Sequence, residues 1–130
     1  MTALTPAATP SRQVIKKALP KVVCDIEGVA ATANTAITGA STLTPSDTPC
    51  TWRVQVCMDN TAQFGASITV GATARTSWFK PMDTTGLDLV ANASYIFDLL
   101  VHAGDTVSFL TNENGNILNL RVQELIWGGN

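Results

Sequence analysis

This chain of 130 residues is poor in the residue types that carry metal and redox chemistry, with one His and three Cys. Cys24, Cys50 and Cys57 are odd in number and form no Cys-x-x-Cys pair, so neither a disulfide framework nor a zinc site is predicted. His102 is the sole candidate for a histidine base, and it lies in a predicted turn. We therefore predict no metal, no cofactor and no enzymatic activity.

Charge is also scarce, since charged residues make up 14% of the chain against about 25% in average proteins. Thr, Ser, Asn, Ala and Gly take the polar positions instead, which predicts a surface of small, uncharged side chains. Such a surface suits contact with other subunits. The composition also fits any Thr-rich β-sandwich, because Thr is favourable in strands. Composition alone leaves both interpretations open.

Long apolar runs are missing as well. No stretch approaches the roughly 18 apolar residues that a membrane-spanning helix needs. Residues 1–6 lack the basic start and the apolar block of a signal peptide. We therefore expect neither secretion nor a membrane as a partner.

The first 21 residues are basic, whereas the rest of the chain is acidic. The charged residues of this stretch are Arg12, Lys16, Lys17 and Lys21. The other four bases share the remainder of the chain with all ten acids. Its prolines and few apolar anchors predict an extended N-terminal arm over residues 1–20, followed by a folded domain over residues 21–130.

Three roles are open for this arm: contact with a neighbouring subunit, a solvated tail, or contact with nucleic acid. Four charges without aromatic residues between them are few for nucleic acid, where affinity grows with the number of phosphates neutralised. We therefore favour contact with a neighbouring protein, and nucleic acid is not expected as a partner.

Alternating apolar residues predict strands along most of the body. The clearest are residues 51–58 and an antiparallel meander within residues 93–120, whose turns contain Gly104 and Gly115. About eight strands and no helical period predict an all-β fold, an antiparallel β-sandwich that is jelly-roll-like and carries the extended N-terminal arm. The inward positions predict this core: Trp52, Val54, Val56, Tyr95, Phe97, Leu99, Val107, Phe109, Leu118, Leu120 and Val122.

The alternation is less clear in three places. The first strand is predicted to place Val22, Cys24 and Ile26 on one face. Residues 30–49 form either a weak edge strand around residues 35–38 or a long surface loop. At Glu124 the alternation slips, which predicts a bulge or a strand that crosses between sheets.

Trp78 and Phe79 are adjacent, so a regular strand directs one of the two rings away from the core. An exposed ring there is a candidate contact with another subunit, whereas a bulge would turn both rings inward. The predicted protein contact residues are Arg12, Lys16, Lys17, Lys21, Trp78 and Phe79.

The run Ser94-Tyr95-Ile96-Phe97-Asp98-Leu99-Leu100-Val101, with the Gly104-Asp105 turn and the strand after it, resembles small β-sandwich virion proteins of tailed bacteriophages. The likeness covers roughly residues 44–126, including Trp52-Arg53-Val54-Gln55-Val56, and leaves the basic arm outside. The shared feature is an apolar strand, a Gly-Asp turn and a second apolar strand.

This resemblance implies a non-enzymatic structural component of a phage particle, foremost a capsid decoration or cementing protein or a shell subunit. Its partners would be itself, as a homo-oligomer such as a trimer, and other virion proteins such as a major capsid protein. Its location would be the virion, after assembly in the host cytoplasm. The alternative is a soluble β-sandwich binding module, lectin-like or receptor-binding, whose loops hold a sugar or a peptide.

Overall fold

The computed structural model describes residues 18–46, 49–82 and 86–127. Within these ranges the chain forms antiparallel strands and no helix, as predicted. The strands are β1 (Ala18–Ala30), β2 (Cys50–Met58), β3 (Ala62–Val70), β4 (Thr73–Trp78), β5 (Asp88–Leu89), β6 (Ser94–Val101), β7 (Asp105–Thr111) and β8 (Ile117–Trp127). Of the predicted arm over residues 1–20, the described part is its last three residues, which begin β1.

Two sheets face each other across the core. The first sheet has the order β1-β8-β2-β6. In the second sheet β3 is central and pairs with β4, with β7 and, at its first residues, with β5. The chain is therefore an antiparallel β-sandwich, and this strand order is compatible with a jelly roll.

The core lies between the sheets and follows the predicted parity. Eight of the predicted core residues are buried: Trp52, Val54, Val56, Val107, Phe109, Leu118, Leu120 and Val122. The other three, Tyr95, Phe97 and Leu99 of β6, are half-buried and pack against this cluster. The core also includes Phe64, Ile37 and Leu89, which the alternation did not single out.

The first strand departs from its predicted parity because of β-bulges. The pairing of β1 with β8 shifts register between Val22 and Cys24 and again between Ile26 and Val29. An extra residue in one strand turns the following side chains to the opposite face. Val22 is therefore 49% exposed, whereas Cys24 is buried, so the prediction that they share a face was wrong.

The predicted slip at Glu124 was also wrong. The register between β2 and β8 runs without a shift from the pair Met58 and Leu118 to the pair Thr51 and Leu125. Because side chains alternate along a regular strand, Glu124 points inward in the same row as Leu120 and is completely buried. The apparent slip was a buried carboxylate at a core position.

Residues 31–46, here called the crossing segment, are a loop and not a regular strand, which resolves the two alternatives left open. The segment runs beside β7 and bonds to its backbone: Ile37 donates to the Phe109 carbonyl (2.9 Å), and Leu43 exchanges two bonds of 2.8 Å with Val107. Ile37, almost fully buried, anchors the segment in the core. The crossing segment therefore covers the edge of the second sheet at β7.

The antiparallel meander predicted within residues 93–120 was wrong, because β6 pairs with β2, β7 with β3, and β8 with β1 and β2. The two predicted turns are present, but each connects strands of different sheets. The β7–β8 turn contains Gly115 at φ 74°, a left-handed conformation that glycine adopts without steric cost. Its backbone N–H donates to the Ala31 carbonyl at 2.8 Å, so this turn also holds the start of the crossing segment.

Candidate functional site

Among the predicted contact residues, Arg12, Lys16 and Lys17 lie outside the described residues. Lys21 is exposed on β1, and its Nζ donates to Ser46 Oγ at 2.9 Å. This bond ties the beginning of β1 to the end of the crossing segment. The base of the basic arm therefore has a fixed position on the sandwich.

Trp78 and Phe79 separate in the way that the regular-strand alternative predicts. Phe79 packs against the core, with its ring centroid 4.9 Å from Phe97 and 5.7 Å from Phe64. Trp78 ends β4 opposite Gly65, where a Cβ atom would come within 2.9 Å of the indole ring. Glycine at position 65 is therefore what lets the half-buried Trp78 lie close against β3.

The most concentrated polar chemistry surrounds the buried Glu124. Its Oε1 accepts hydrogen bonds from the Ser46 backbone N–H at 3.0 Å and from Trp52 Nε1 at 2.9 Å. Cys50 Sγ donates to the same oxygen at 3.4 Å, and the Ser46 hydroxyl donates to Oε2. The carboxylate thus joins β8 to β2 and to the crossing segment.

These hydrogen bonds set the charge state of Glu124. Burial by itself raises the pKa of this carboxyl, but the bonds from Ser46, Trp52 and Cys50 outweigh burial and lower the pKa to about 2. A carboxylate with so low a pKa is a weak general base. The Ser46 hydroxyl and backbone N–H both donate to this carboxylate, so Glu124 holds the end of the crossing segment against β8.

A cleft of about 290 Å³ opens beside this cluster, lined by Lys21, Val22, Thr42, Ser46 and Glu124. It lies at the base of the arm, between β1 and the crossing segment. Sequence reasoning missed this whole arrangement. Two features of the sequence could have indicated it. Glu124 continues the alternation of the inward residues of β8, and the indole N–H of Trp52 needs an acceptor when it is buried.

His102 and Asp105 lie together at the turn between β6 and β7. Asp105 is 8% exposed, and its Oδ2 accepts the His102 backbone N–H at 2.9 Å. His102 Nδ1 is 3.9 Å from that oxygen, and the ring is exposed. No group of three metal-binding side chains occurs in the described ranges. The described part of the chain likewise contains no helix that is long and apolar enough to cross a membrane.

The outer face of the first sheet carries a shallow groove of about 350 Å³. Polar side chains line it, among them Asp25, Gln55, Asn119 and Arg121. Arg121 Nε lies 4.0 Å from Asp25 Oδ2. Such a groove offers hydrogen-bond donors and acceptors to a polar ligand.

In the part of the chain that the structure describes, no strand or loop pairs along one long side of the sandwich, which is here called the open side. It is formed by β6 at the edge of the first sheet and β4 at the edge of the second, and Phe97 of β6 stacks on Phe79, the residue after β4. Within the described residues, β6 pairs only with β2, and β4 pairs only with β3. Ile96 and Leu100 project from β6 away from the core and are 60% and 59% exposed.

No protein-family model matches this chain, and no curated protein matches its sequence. Among solved structures, the CBM22-1 and GH10 modules of Clostridium thermocellum xylanase 10B, complexed with xylohexaose, match at 12% identity and a TM-score of 0.45. That match covers 90% of this chain, which spans 29% of the length of the xylanase chain.

Two crystal structures of a pentameric capsid protein from metagenomic phage sequences also match, each at 20% identity over 95% of this chain. Their TM-scores are 0.42 and 0.41, and the match covers 85% and 78% of their chains. Similarity at this level assigns no function, and the β-sandwich assignment stands on the strand pairing described above.

Proposed function

We propose that this protein is a non-enzymatic structural subunit of a phage particle, of the capsid decoration, cementing or shell type. The sequence resemblance to small virion proteins supports this proposal, because it spans residues 44–126 and therefore every strand from β2 to β8. The protein would act through contacts with its own copies and with other virion proteins such as a major capsid protein.

The observation that carries the proposal is the open side. Tyr95, Phe97 and Leu99 face the core but stay half-buried, while Ile96 and Leu100 are exposed on the other face of the same strand. Apolar side chains on a free strand edge mark a surface that another protein covers. A subunit of an assembled shell supplies such a cover from its neighbours.

The basic arm adds a second contact in this proposal. Arg12, Lys16 and Lys17 precede β1, and Lys21 at its base is held by Ser46. The described body is acidic, so the arm of one subunit is attracted to an acidic neighbour. Exposed ion pairs are worth about 0–1 kcal/mol each, so several must act together, and salt weakens them.

The proposal is tested on intact particles from infected host cells, washed at physiological salt. Quantitative mass spectrometry should find this chain in a fixed ratio to the major capsid protein. Absence from washed particles would overturn the proposal. Replacing Arg12, Lys16 and Lys17 by Gln should reduce the ratio, whereas the charge-preserving exchange of Arg12 to Lys and of both lysines to Arg should not.

The groove on the outer face favours a second candidate, a soluble β-sandwich module that binds a sugar or a peptide. Its carboxylate, amide and guanidinium groups are those that bind hydroxyl-rich ligands. Saturable binding on a glycan array, lost in Gln55→Ala and Asn119→Ala variants, would support this candidate. An array without signal would remove the sugar-binding form of it.

A further inference from the structure

Among the described residues, strand β6 is an edge strand without the usual protection against pairing with another chain. Natural edges are blunted by lysines, prolines, bulges or a covering segment. The sequence of β6, Ser94 to Val101, has no lysine, proline or glycine, and its register with β2 is unbroken over all eight pairs. Its one charged residue is Asp98, which already binds Arg53 of β2 through two bonds of 3.1 and 3.3 Å.

The opposite edge of the same sheet is protected in the ways that β6 is not. Strand β1 carries two bulges, a lysine at its beginning, and Asp25 and Glu27 in its middle. The crossing segment also contacts it, since Cys24 Sγ donates to the Gly39 carbonyl at 3.3 Å. The lack of such devices on β6 is therefore specific to one edge.

The pattern of side chains along β6 is symmetric about Asp98. On the outward face, Ile96 and Leu100 flank Asp98 at equal distances, and on the inward face Phe97 and Leu99 do so. In an antiparallel pair of identical strands, residues that face each other project to the same face of the sheet. A pairing centred on Asp98 therefore sets Ile96 against Leu100 and Phe97 against Leu99, each twice.

We infer that β6 pairs antiparallel with β6 of a second copy of this chain, with Asp98 facing Asp98 at the two-fold axis. The two first sheets then join into one continuous sheet across the dimer, an isologous contact. The cross-strand apolar pairs gain contact on both faces. The two aspartates meet as neutralised pairs, because each stays bound to the Arg53 of its own copy.

Neighbouring registers give poorer partners. A pairing centred on Phe97 sets Ile96 against Asp98, and one centred on Leu99 sets Leu100 against Asp98. Both place a carboxylate beside an exposed apolar side chain. Of these three registers, the one about Asp98 is the one that sets apolar residues against apolar residues on both faces of the strand. This inference rests on the proposed role as an assembling subunit, since it names the surface by which copies meet.

The register is tested by cysteine cross-linking in the full chain. Facing Cα atoms in an antiparallel pair lie about 4.5–5.5 Å apart, within the reach of a disulfide. Asp98→Cys should therefore give a covalent dimer on mild oxidation. Ile96→Cys alone should not, since its two copies would lie about 13 Å apart. The double variant Ile96→Cys with Leu100→Cys should cross-link, because those two positions face each other. As the control, the parent chain with its three native cysteines should stay monomeric on a non-reducing gel.

A second measurement removes the contact without disturbing the fold. Ile96→Lys puts a charge on the exposed face of the edge strand, where it opposes pairing but not folding. We expect the parent to sediment at twice the monomer mass at high micromolar concentration and the variant at the monomer mass, with the same melting curve when dilute.

A parent that remains monomeric, an Ile96→Lys variant that still dimerises, or a dimer without the Asp98→Cys cross-link would each overturn the β6 pairing. A parent that becomes dimeric only after removal of residues 1–17 would also overturn it, because the arm would then be what covers β6. The proposed function has a separate readout. A protein present in washed particles whose β6 fails these tests is still a virion subunit, which assembles through another surface.

Discussion

The two long sides of the sandwich are completed in different ways. On one, here called the closed side, the crossing segment covers β7 through backbone bonds and reaches β1 through Cys24 and Lys21. On the open side, β4 and β6 end their sheets with side chains in solvent. Within the described residues, the chain therefore covers one side of the sandwich by itself, and the proposed contact with a second copy lies on the other side.

Loss of the carboxylate at Glu124 should destabilise the closed side and give the largest change in the free energy of unfolding. In Glu124→Gln the carbonyl can still accept from Trp52 and the Ser46 N–H, but the negative charge that strengthens these bonds is lost, and an NH2 group replaces the oxygen that accepts from the Ser46 hydroxyl. We expect the free energy of unfolding to fall by about 3 kcal/mol in denaturant titration. Glu113→Gln, a matched change in the exposed β7–β8 turn, should stay within about 0.5 kcal/mol. Equal midpoints for the two variants would contradict the role of Glu124.

Acid should destabilise the closed side over a pH range that is set by the pKa of Glu124. The pKa of Glu124 is lowered from 4.5 to about 2 in the folded protein, so its contribution is complete above pH 4.5 and is lost as pH falls toward 2. That contribution is about 3 kcal/mol, at about 1.4 kcal/mol for each pKa unit. Unfolding free energies measured from pH 6 to pH 2 should show this loss in the parent and a shallower one in Glu124→Gln. Parallel pH curves would contradict it.

Neighbouring residues on β6 should separate folding from assembly on the open side. Phe97 stacks on Phe79 at 4.9 Å and is half-buried, so Phe97→Ala should cost about 2–3 kcal/mol, below the usual loss for a fully buried ring. Ile96→Ala, on the exposed face, should cost less than about 0.5 kcal/mol in the dilute protein. Thermal melts at low concentration check both. A Phe97→Ala protein that melts with the parent would show that the ring adds nothing to the core.

Removal of residues 1–17 should have the smallest effect on folding. The first described strand begins at Ala18 and pairs with β8 from there, so the sandwich keeps all its described contacts. We expect a change in unfolding free energy within about 0.5 kcal/mol, together with lower incorporation into particles. A large loss of stability would show that the arm belongs to the fold.

Much of the fold could be predicted because the central strands alternate cleanly. Trp52, Val54 and Val56 occupy one row of β2, and the sequence alone assigns that row to the core. The edge strands were harder to predict from the sequence, because the bulges of β1 depend on its pairing with β8 and leave no sign in the order of its side chains. The half-burial of Phe97 likewise depends on β6 being the last strand of its sheet.

The candidate sites were less predictable for a different reason. Assigning apolar residues to the core and polar residues to the surface places Glu124 in solvent, because a carboxylate is rarely buried without compensation. Here the compensation comes from Ser46 and Cys50, which are 78 and 74 residues away in sequence. Only the folded chain brings those donors to the inward row of β8.

Amide hydrogen exchange tests the difference between the two sides most directly. The full chain is compared at concentrations where monomers and associated copies dominate, with Ile96→Lys as the monomeric reference. The amides of Ser94 to Val101 should exchange more slowly in the associated parent, while those of Lys21 to Glu27 in β1 should not change between states. Protection that appears in β1, or in neither edge strand, would contradict the claim that copies meet at β6.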